Sequence, residues 1–163
     1  MPKLQKGVFW MLMATFFFSI MGLTVKLGSL QFSPSELVFY RSSISLIFIF
    51  TMMRHSRIKI KTNYLSLHLK RSLTGFVSLL LFFYAIAHLP LGTAISLNYT
   101  SPLFVGLLLP FILNRKLNLK TYALVFIGFI GVFFILKPIF QDQSFFAGLM
   151  GLLSGFGAAL AYL

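Results

Sequence analysis

The sequence predicts an all-α integral membrane protein, a polytopic helix bundle, from three observations. Hydrophobic residues make up 58% of the 163 residues and charged residues only 10%, which excludes a soluble domain and a disordered chain. The apolar residues fall into six runs that are long enough to cross a bilayer at about 1.5 Å per residue. The net charge of +12 lies mostly between these runs, where it indicates topology and not a nucleic-acid partner.

The first span is expected over about residues 7–27, behind Lys3 and Lys6. A secretory signal peptide is the alternative, because it shares the basic start and the apolar run. The run exceeds the usual apolar core of about 7–15 residues, and no small-residue cleavage site follows. We therefore interpret this stretch as a transmembrane helix.

The second and third spans lie on either side of the longest polar connection. Ser33-Pro34-Ser35 is a helix-start signal, so the second span is expected over about residues 35–53. The basic segment 54–61 and the pair Lys70-Arg71 bracket the connection. The third span is then expected over about residues 72–88.

The last three spans are separated by short turns. The turn at 89–92 is too short for anything except an antiparallel neighbour, so the fourth span, over about 92–113, should form a tight hairpin with the third. The fifth span is expected over about 119–136, because Lys137-Pro138 should stop it. The sixth covers about 145–163 and is still apolar at its last residue.

The basic residues predict how the spans are oriented. If the N-terminus is cytoplasmic, all of the 14 Lys and Arg residues except Lys26, Arg41 and Lys137 fall on the cytoplasmic side. Both acids, Glu36 and Asp142, then fall outside. By the positive-inside rule, this bias predicts one orientation and argues against a protein that inserts both ways.

The fourth span is too polar to lie wholly against lipid. Its first half carries hydroxyl, amide and phenol groups, among them Asn98, Tyr99 and Ser101, and unsatisfied polar groups are costly in hydrocarbon. Pro102 should free a carbonyl one turn earlier, near Asn98, for a neighbouring helix, water or a solute. One side of this helix should therefore line a solute path. For any single residue, packing between helices is an equal alternative.

Of the basic residues on the predicted outer side, Arg41 and Lys26 lie inside the predicted spans. Arg41 is about six residues into the second span, at a depth of about 9 Å, and a charge at depth costs about 2.5–3.5 kcal/mol. We predict that Arg41 binds an anionic solute group, while snorkelling to the interface and a pair with Glu36 stay open as alternatives. Lys26 is closer to its helix end, where snorkelling is favoured.

Tyr84 and His88 complete the predicted substrate site. They are four residues apart near the end of the third span, so they share a helix face that could line the same cavity. An interfacial anchor is the equal alternative. The candidate substrate-binding residues are Arg41, Tyr84, His88, Asn98, Tyr99, Ser101 and Pro102. On the sixth span, Gly151, Gly155 and Ala159 have the spacing of a close helix-packing face.

Patterns typical of catalytic and metal sites are missing from the sequence. It has no cysteine, and His55, His68 and His88 are too scattered to suggest a ligand cluster. Paired acids, a Ser/His/Asp set and a zinc motif of the HExxH type are absent too. We therefore expect no cofactor, no metal and no enzymatic activity, and an intramembrane enzyme is the least favoured class.

Several motifs, taken in order, resemble one family. They are Phe39-Tyr40-Arg41-Ser42, Leu69-Lys70-Arg71 and the segments 83–91, 99–104 and 128–138. Together they are similar to an EamA-type repeat of the drug/metabolite transporter superfamily. The resemblance covers nearly the whole chain, and the ordered run of motifs is fairly specific.

This resemblance implies a carrier of ten helices made of two inverted five-helix repeats. Such carriers move small organic metabolites across the cytoplasmic (inner) membrane, often as exporters and often coupled to protons. Residues 1–138 would form the first repeat and 145–163 the first helix of the second, because 148–154 resembles the start of the pattern at 7–13. Arg115 stands where family members usually carry a glutamate.

The leading hypothesis is a metabolite transporter that is present here as a truncated or split half. Its expected partners are a small-molecule metabolite, the lipid bilayer, and a complementary C-terminal half or a homo-oligomer. A homodimer would need one inverted copy, which the charge bias disfavours. The rival hypothesis is a non-transporting membrane protein or gene remnant that acts only as a packing partner.

Overall fold

The computed structural model describes residues 3–56, 64–113, 118–141 and 144–163, which form seven helices and no strand. In chain order the helices are α1 (Lys3–Gly28), α2 (Pro34–His55), α3 (Leu65–His88), α4 (Leu91–Asn98), α5 (Ser101–Leu113), α6 (Leu119–Gln141) and α7 (Phe145–Tyr162). Six segments of the described chain are long and apolar enough to cross a membrane, and α4 and α5 together contribute one of them, Leu91–Pro110. The predicted fold class, an all-α polytopic membrane protein, is confirmed.

The start of α2 follows from its local sequence. The Ser33 hydroxyl accepts a hydrogen bond from the backbone N–H of Glu36, and the Glu36 carboxylate accepts one from the backbone N–H of Ser33. This reciprocal pair is a capping box, which satisfies two otherwise unpaired donors. Pro34 fits the first helical position because its missing N–H would be unpaired there in any case.

Two helices run further than the sequence predicts. α3 begins at Leu65 and not near residue 72, so Lys70 and Arg71 lie inside it. Helical hydrogen bonds are made by the backbone, so the helix does not end where its side chains become polar. α6 runs to Gln141, past the predicted stop at Lys137-Pro138, because a proline removes one helical hydrogen bond without always ending the helix.

The predicted fourth span is not one continuous helix. α4 ends at Asn98, α5 begins at Ser101, and a turn at Tyr99-Thr100 separates them. The Thr100 N–H donates to the carbonyl of Leu97, three residues back, which tightens the end of α4. Pro102 lies in the first turn of α5, where its missing N–H costs little. The break therefore precedes the proline and does not arise within a helix that contains it.

α7 packs against four of the other helices. It contacts α3, α4, α5 and α6. Its buried residues are all small, and they are Ala147, Gly148, Gly151, Ser154, Gly155 and Ala159. A Cβ atom on Gly151 would lie 3.0 Å from the Leu97 side chain and 3.4 Å from that of Ala85. The small-residue face predicted for the sixth span therefore brings α7 close to α3 and α4.

The outer faces of α1 and α2 are apolar. Val25 and Val38 are buried against the inner helices, while Trp10 and Phe48 are each 70% exposed. Exposed apolar surface on this scale, on helices of spanning length, is suited to lipid and not to water. The two helices thus form a lipid-facing side of the bundle.

Several predicted features lie outside the residues that the structure describes. They are the residue in the usual glutamate position, Arg115, the acid Asp142, and the basic residues Arg57, Lys59, Lys61 and Lys116. The orientation expected from the positive-inside rule depends on many of these residues. It therefore stays a prediction.

Candidate functional site

A cavity of about 190 Å³ lies between α1, α2, α3, α4 and α7. Its polar lining includes Arg41 from α2, Ser78 from α3 and Asn98 from α4, and its aromatic lining includes Phe18 and Phe82. Two of the residues predicted for the site, Arg41 and Asn98, therefore meet at one cavity. The meeting is a result of helix packing, because the two residues lie on different spans.

Arg41 is an exposed side chain at this cavity. Glu36 is the one acid in the described ranges, and its carboxylate accepts hydrogen bonds from the backbone N–H and the hydroxyl of Ser33, at 2.8 and 3.0 Å. Residues five positions apart do not share a helix face. The alternative of a Glu36–Arg41 pair is therefore not realised, and solute binding and snorkelling to the interface are the two roles that stay open for Arg41.

Asn98 belongs to a chain of polar groups that links α4, α7 and α3. The hydroxyl oxygen of Ser154 lies 3.2 Å from the side-chain oxygen of Asn98 and 2.6 Å from the Gly151 carbonyl oxygen. The Ser78 hydroxyl in turn donates to the carbonyl of Ser154 at 2.7 Å. Ser154 is fully buried and Ser78 nearly so. These contacts tie the polar wall of the cavity to α7.

Ser78 and Ser154 were not among the predicted site residues. A serine or threonine in an apolar helix usually bonds a carbonyl of its own preceding turn, as Ser19 does here with Thr15. The signal that could have identified Ser154 is its place among the small residues of α7. At such a close helix contact, a hydroxyl reaches the neighbouring helix.

The turn between α4 and α5 lies directly against Gly155 of α7. The Thr100 hydroxyl donates to the Leu97 carbonyl at 2.7 Å, and Thr100 is buried. A Cβ atom on Gly155 would lie 2.5 Å from the Thr100 hydroxyl oxygen and 2.9 Å from the Leu97 carbonyl oxygen. Glycine is required here because any larger residue would push the two helices apart. The contact holds the end of α4, and with it Asn98, beside Ser154.

Three predicted site residues follow Asn98 in the chain but do not line this cavity. Tyr99 is 55% exposed and stacks on Phe18, with the ring centroids 6.1 Å apart. Ser101 is buried at the start of α5, and Pro102 is exposed beside it. Among the polar residues predicted in this span, Asn98 is the one that the structure places at the cavity.

Tyr84 and His88 lie away from the cavity, near the end of α3. Their rings stack with centroids 4.2 Å apart, and Nδ1 of His88 lies 2.9 Å from the Tyr84 carbonyl oxygen. Tyr84 also lines a separate apolar groove of about 290 Å³ with Pro34 and Phe146. The structure therefore does not bring this pair together with Arg41 and Asn98.

Lys26 caps a helix and does not snorkel as the sequence suggests. Its ammonium donates to the carbonyls of Ile86, Ala87 and Leu89, at 2.9, 3.1 and 2.9 Å. These carbonyls lie at the C-terminal end of α3, where helical carbonyls lack partners within the helix and the helix dipole favours a cation. Lys26 therefore joins α1 to α3.

The chemistry of the cavity suits binding. Arg41 can make charge-assisted hydrogen bonds to an anion, Asn98 offers a neutral polar group, and Phe18 and Phe82 provide apolar contact. Within the described part of the chain, no three His, Asp or Glu side chains lie close enough together to hold a metal ion. The arrangement fits a small organic solute that carries a negative charge.

Known proteins provide an independent comparison. The model of the EamA-like transporter family matches residues 5–137. The pseudopaline exporter of Pseudomonas aeruginosa is 33% identical over 156 residues, which are 96% of this chain and 55% of that protein. The riboflavin transporter of Vibrio cholerae is 30% identical, over 84% of this chain and 48% of that protein. The S-adenosylmethionine uptake transporter of Rickettsia prowazekii is 27% identical, over 83% and 47%.

The chain spans about half the length of the curated relatives that it matches. No solved structure matches it. The family match covers most of the region from α1 to α6, which holds five apolar segments of spanning length, and it contains both Arg41 and Asn98. Together with the six apolar segments of spanning length, this match identifies a multi-pass membrane protein. The chain belongs to the EamA-like transporter family.

Proposed function

We propose that this chain is part of a secondary carrier that moves small organic metabolites across the cytoplasmic membrane, and that it is not an enzyme. The observation that carries the proposal is the cavity at which Arg41 and Asn98 meet inside a bundle of apolar helices. A cation within a membrane span is costly, so one without an acidic partner among the described residues indicates a binding role. Relatives named as exporters and uptake transporters support the same class.

The proposed solute carries an anionic group. The guanidinium of Arg41 offers N–H donors in a planar fork that matches a carboxylate or a phosphate. Phe18 and Phe82 stack with their centroids 6.2 Å apart and form an apolar wall for the organic part of the solute. The proposed site keeps Arg41 and Asn98 from the predicted set and adds Ser78.

The chain is further proposed to supply one half of the carrier, with a cytoplasmic N-terminus. The matched region is 55% of the pseudopaline exporter. In carriers built from inverted repeats, the solute binds near the membrane midplane between the repeats, and one repeat moves against the other. Residues 1–138 would be the first repeat, and α7 the first helix of the second. A complementary C-terminal half would then complete the cavity.

Transport in lipid vesicles tests both parts of the proposal. One set of vesicles holds this chain alone, and a second set also holds the part of the pseudopaline exporter that this chain does not match. Both sets are incubated with a ¹³C-labelled metabolite extract, and accumulated solutes are identified by mass spectrometry. We expect accumulation only in the second set.

Arg54 provides a matched control for the site, because it lies at the far end of the same helix and is exposed. Arg41→Gln should abolish accumulation and Arg54→Gln should leave it unchanged. Equal transport by the chain alone would contradict the half-carrier, and equal transport by Arg41→Gln would contradict the site. No accumulation in either set, with no metabolite bound through Arg41, would favour the rival role as a packing partner.

A further inference from the structure

Ser154 has two acceptors beside it and one hydroxyl hydrogen to give. Its oxygen lies 2.6 Å from the carbonyl oxygen of Gly151 and 3.2 Å from the side-chain oxygen of Asn98. The side chain is fully buried, so water does not resolve the conflict. The position of that hydrogen therefore decides how Asn98 is oriented.

The hydroxyl hydrogen of Ser154 lies in the shorter contact, between Ser154 and the Gly151 carbonyl. A separation of 2.6 Å between two oxygens is a strong hydrogen bond when a hydrogen lies between them, and a repulsion between lone pairs when none does. Once the Ser154 hydroxyl donates to Gly151, its remaining lone pairs face Asn98 and need a donor. The amide nitrogen of Asn98 is such a donor, and half a turn of the amide group brings it into place without changing the shape of the side chain.

The contacts around Ser154 prevent it from moving away from Asn98. Its own carbonyl accepts the Ser78 hydroxyl at 2.7 Å, and the next residue, Gly155, lies against the carbonyls of Leu97 and Asn98. These contacts fix the position of α7 along α3 and its close approach to α4. Among these neighbours, the Asn98 amide is the group that can turn.

We infer that Ser154 is a positioning residue, which binds the amide nitrogen of Asn98 and thereby turns the amide oxygen toward the cavity that Arg41 lines. Resting on the proposed function, this inference narrows the class of solute. The cavity then offers a cation from Arg41 and a hydrogen-bond acceptor from Asn98. A solute that satisfies both carries an anionic group together with an N–H or O–H donor.

Nuclear magnetic resonance of the full chain in lipid nanodiscs, with ¹⁵N-labelled asparagine, tests the orientation without any solute. The exchange of side-chain NH₂ hydrogens with D₂O is measured for Asn98 and for Asn118, which is exposed and serves as the internal reference. We expect one Asn98 hydrogen to exchange at least about fivefold more slowly than those of Asn118, as for one buried hydrogen bond. Equally fast exchange at both residues would overturn the inference.

Two variants separate positioning from folding. Ser154→Ala removes the acceptor and should return Asn98 to the exchange rate of Asn118, while Ser154→Thr keeps the hydroxyl and should keep the slow rate. Backbone amide spectra of both variants show whether the helices are still packed. Slow exchange that persists in a folded Ser154→Ala protein would also overturn the inference.

The solute class is tested by capture from the ¹³C-labelled metabolite extract on wild-type protein and on Arg41→Gln, each reconstituted with the part of the pseudopaline exporter that this chain does not match. Solutes held only by the wild type should carry an anionic group and an N–H or O–H donor, and Ser154→Ala should weaken their binding by about fivefold. Equal capture of quaternary betaines, which carry a carboxylate but no such donor, would contradict the solute class. If nothing is captured, the proposed function fails while the exchange result still decides the role of Ser154.

Discussion

Lys26 and Arg41 are two cations within apolar helices, and the structure treats them in opposite ways. The ammonium of Lys26 donates to three carbonyls at the C-terminal end of α3. The guanidinium of Arg41 lies at a cavity, and in the described ranges no acid pairs with it. The charge of Lys26 is therefore compensated by backbone carbonyls of the protein, whereas no described acidic side chain compensates the charge of Arg41.

This difference shows which intramembrane charge is structural. A charge placed at depth is costly unless protein groups compensate it. For Lys26 the compensation is complete within the protein, so its role is to hold α1 against α3. For Arg41 the compensation must come from water or from a bound anion, which is the physical basis of the proposed carrier site.

The largest expected effect is the loss of stability when Lys26 is replaced. Lys26→Met should lower the free energy of unfolding by about 2–3 kcal/mol, because three carbonyls lose a charged donor. Unfolding in mixed micelles titrated with sodium dodecyl sulfate measures the change. Lys120→Met is the control, because Lys120 is an exposed lysine of α6. Equal stability of the two variants would mean that Lys26 is not a structural cap.

The next largest expected effect is the loss of solute affinity when Arg41 is replaced. Arg41→Gln should weaken the binding of anionic metabolites by about 30-fold, which corresponds to about 2 kcal/mol for a charge-assisted hydrogen bond. Its free energy of unfolding should match that of the wild type. Isothermal titration with a metabolite captured from the extract measures the affinity. If Arg41→Gln were destabilised as much as Lys26→Met and kept its affinity, Arg41 would be a structural residue and not a solute-binding one.

A smaller effect is expected at Asn98, the neutral partner of Arg41 in the cavity. Asn98→Leu should weaken the same binding by about fivefold, because one neutral hydrogen bond is lost. Ser96→Leu, an exposed position of the same helix outside the cavity lining, is the matched control. If Ser96→Leu impaired binding more than Asn98→Leu, α4 would not form the wall of the solute path.

Much of the fold follows from the sequence because apolar length and charge placement are local properties. The presence of six segments of spanning length, the start of α2 at Ser33-Pro34-Ser35 and the small-residue face of α7 agree with the structure. The break at Tyr99-Thr100 was not predicted. It depends on Thr100 bonding back to Leu97 and on the close approach of Gly155, and both are set by packing against α7.

The candidate site was only partly predictable for the same reason. Arg41 and Asn98 could be selected because each is too polar for its span, whatever its neighbours are. For Ser154 the one signal was its place among the small residues of α7. The role of Lys26 could not be predicted, because it depends on carbonyls of another helix. Tyr84 and His88 share a face of α3, but helical spacing does not tell which face meets the cavity.

Cysteine accessibility in the cavity tests most directly whether Arg41 lies at a wet solute site. The chain has no cysteine, so one can be introduced at Ala158, which lines the cavity, and for comparison at Ala85, which is fully buried. We predict that a water-soluble methanethiosulfonate reagent modifies Ala158→Cys in vesicles, that captured anionic metabolites slow the reaction, and that Ala85→Cys does not react. An Ala158→Cys protein as unreactive as Ala85→Cys would show a dry cavity and contradict the carrier site.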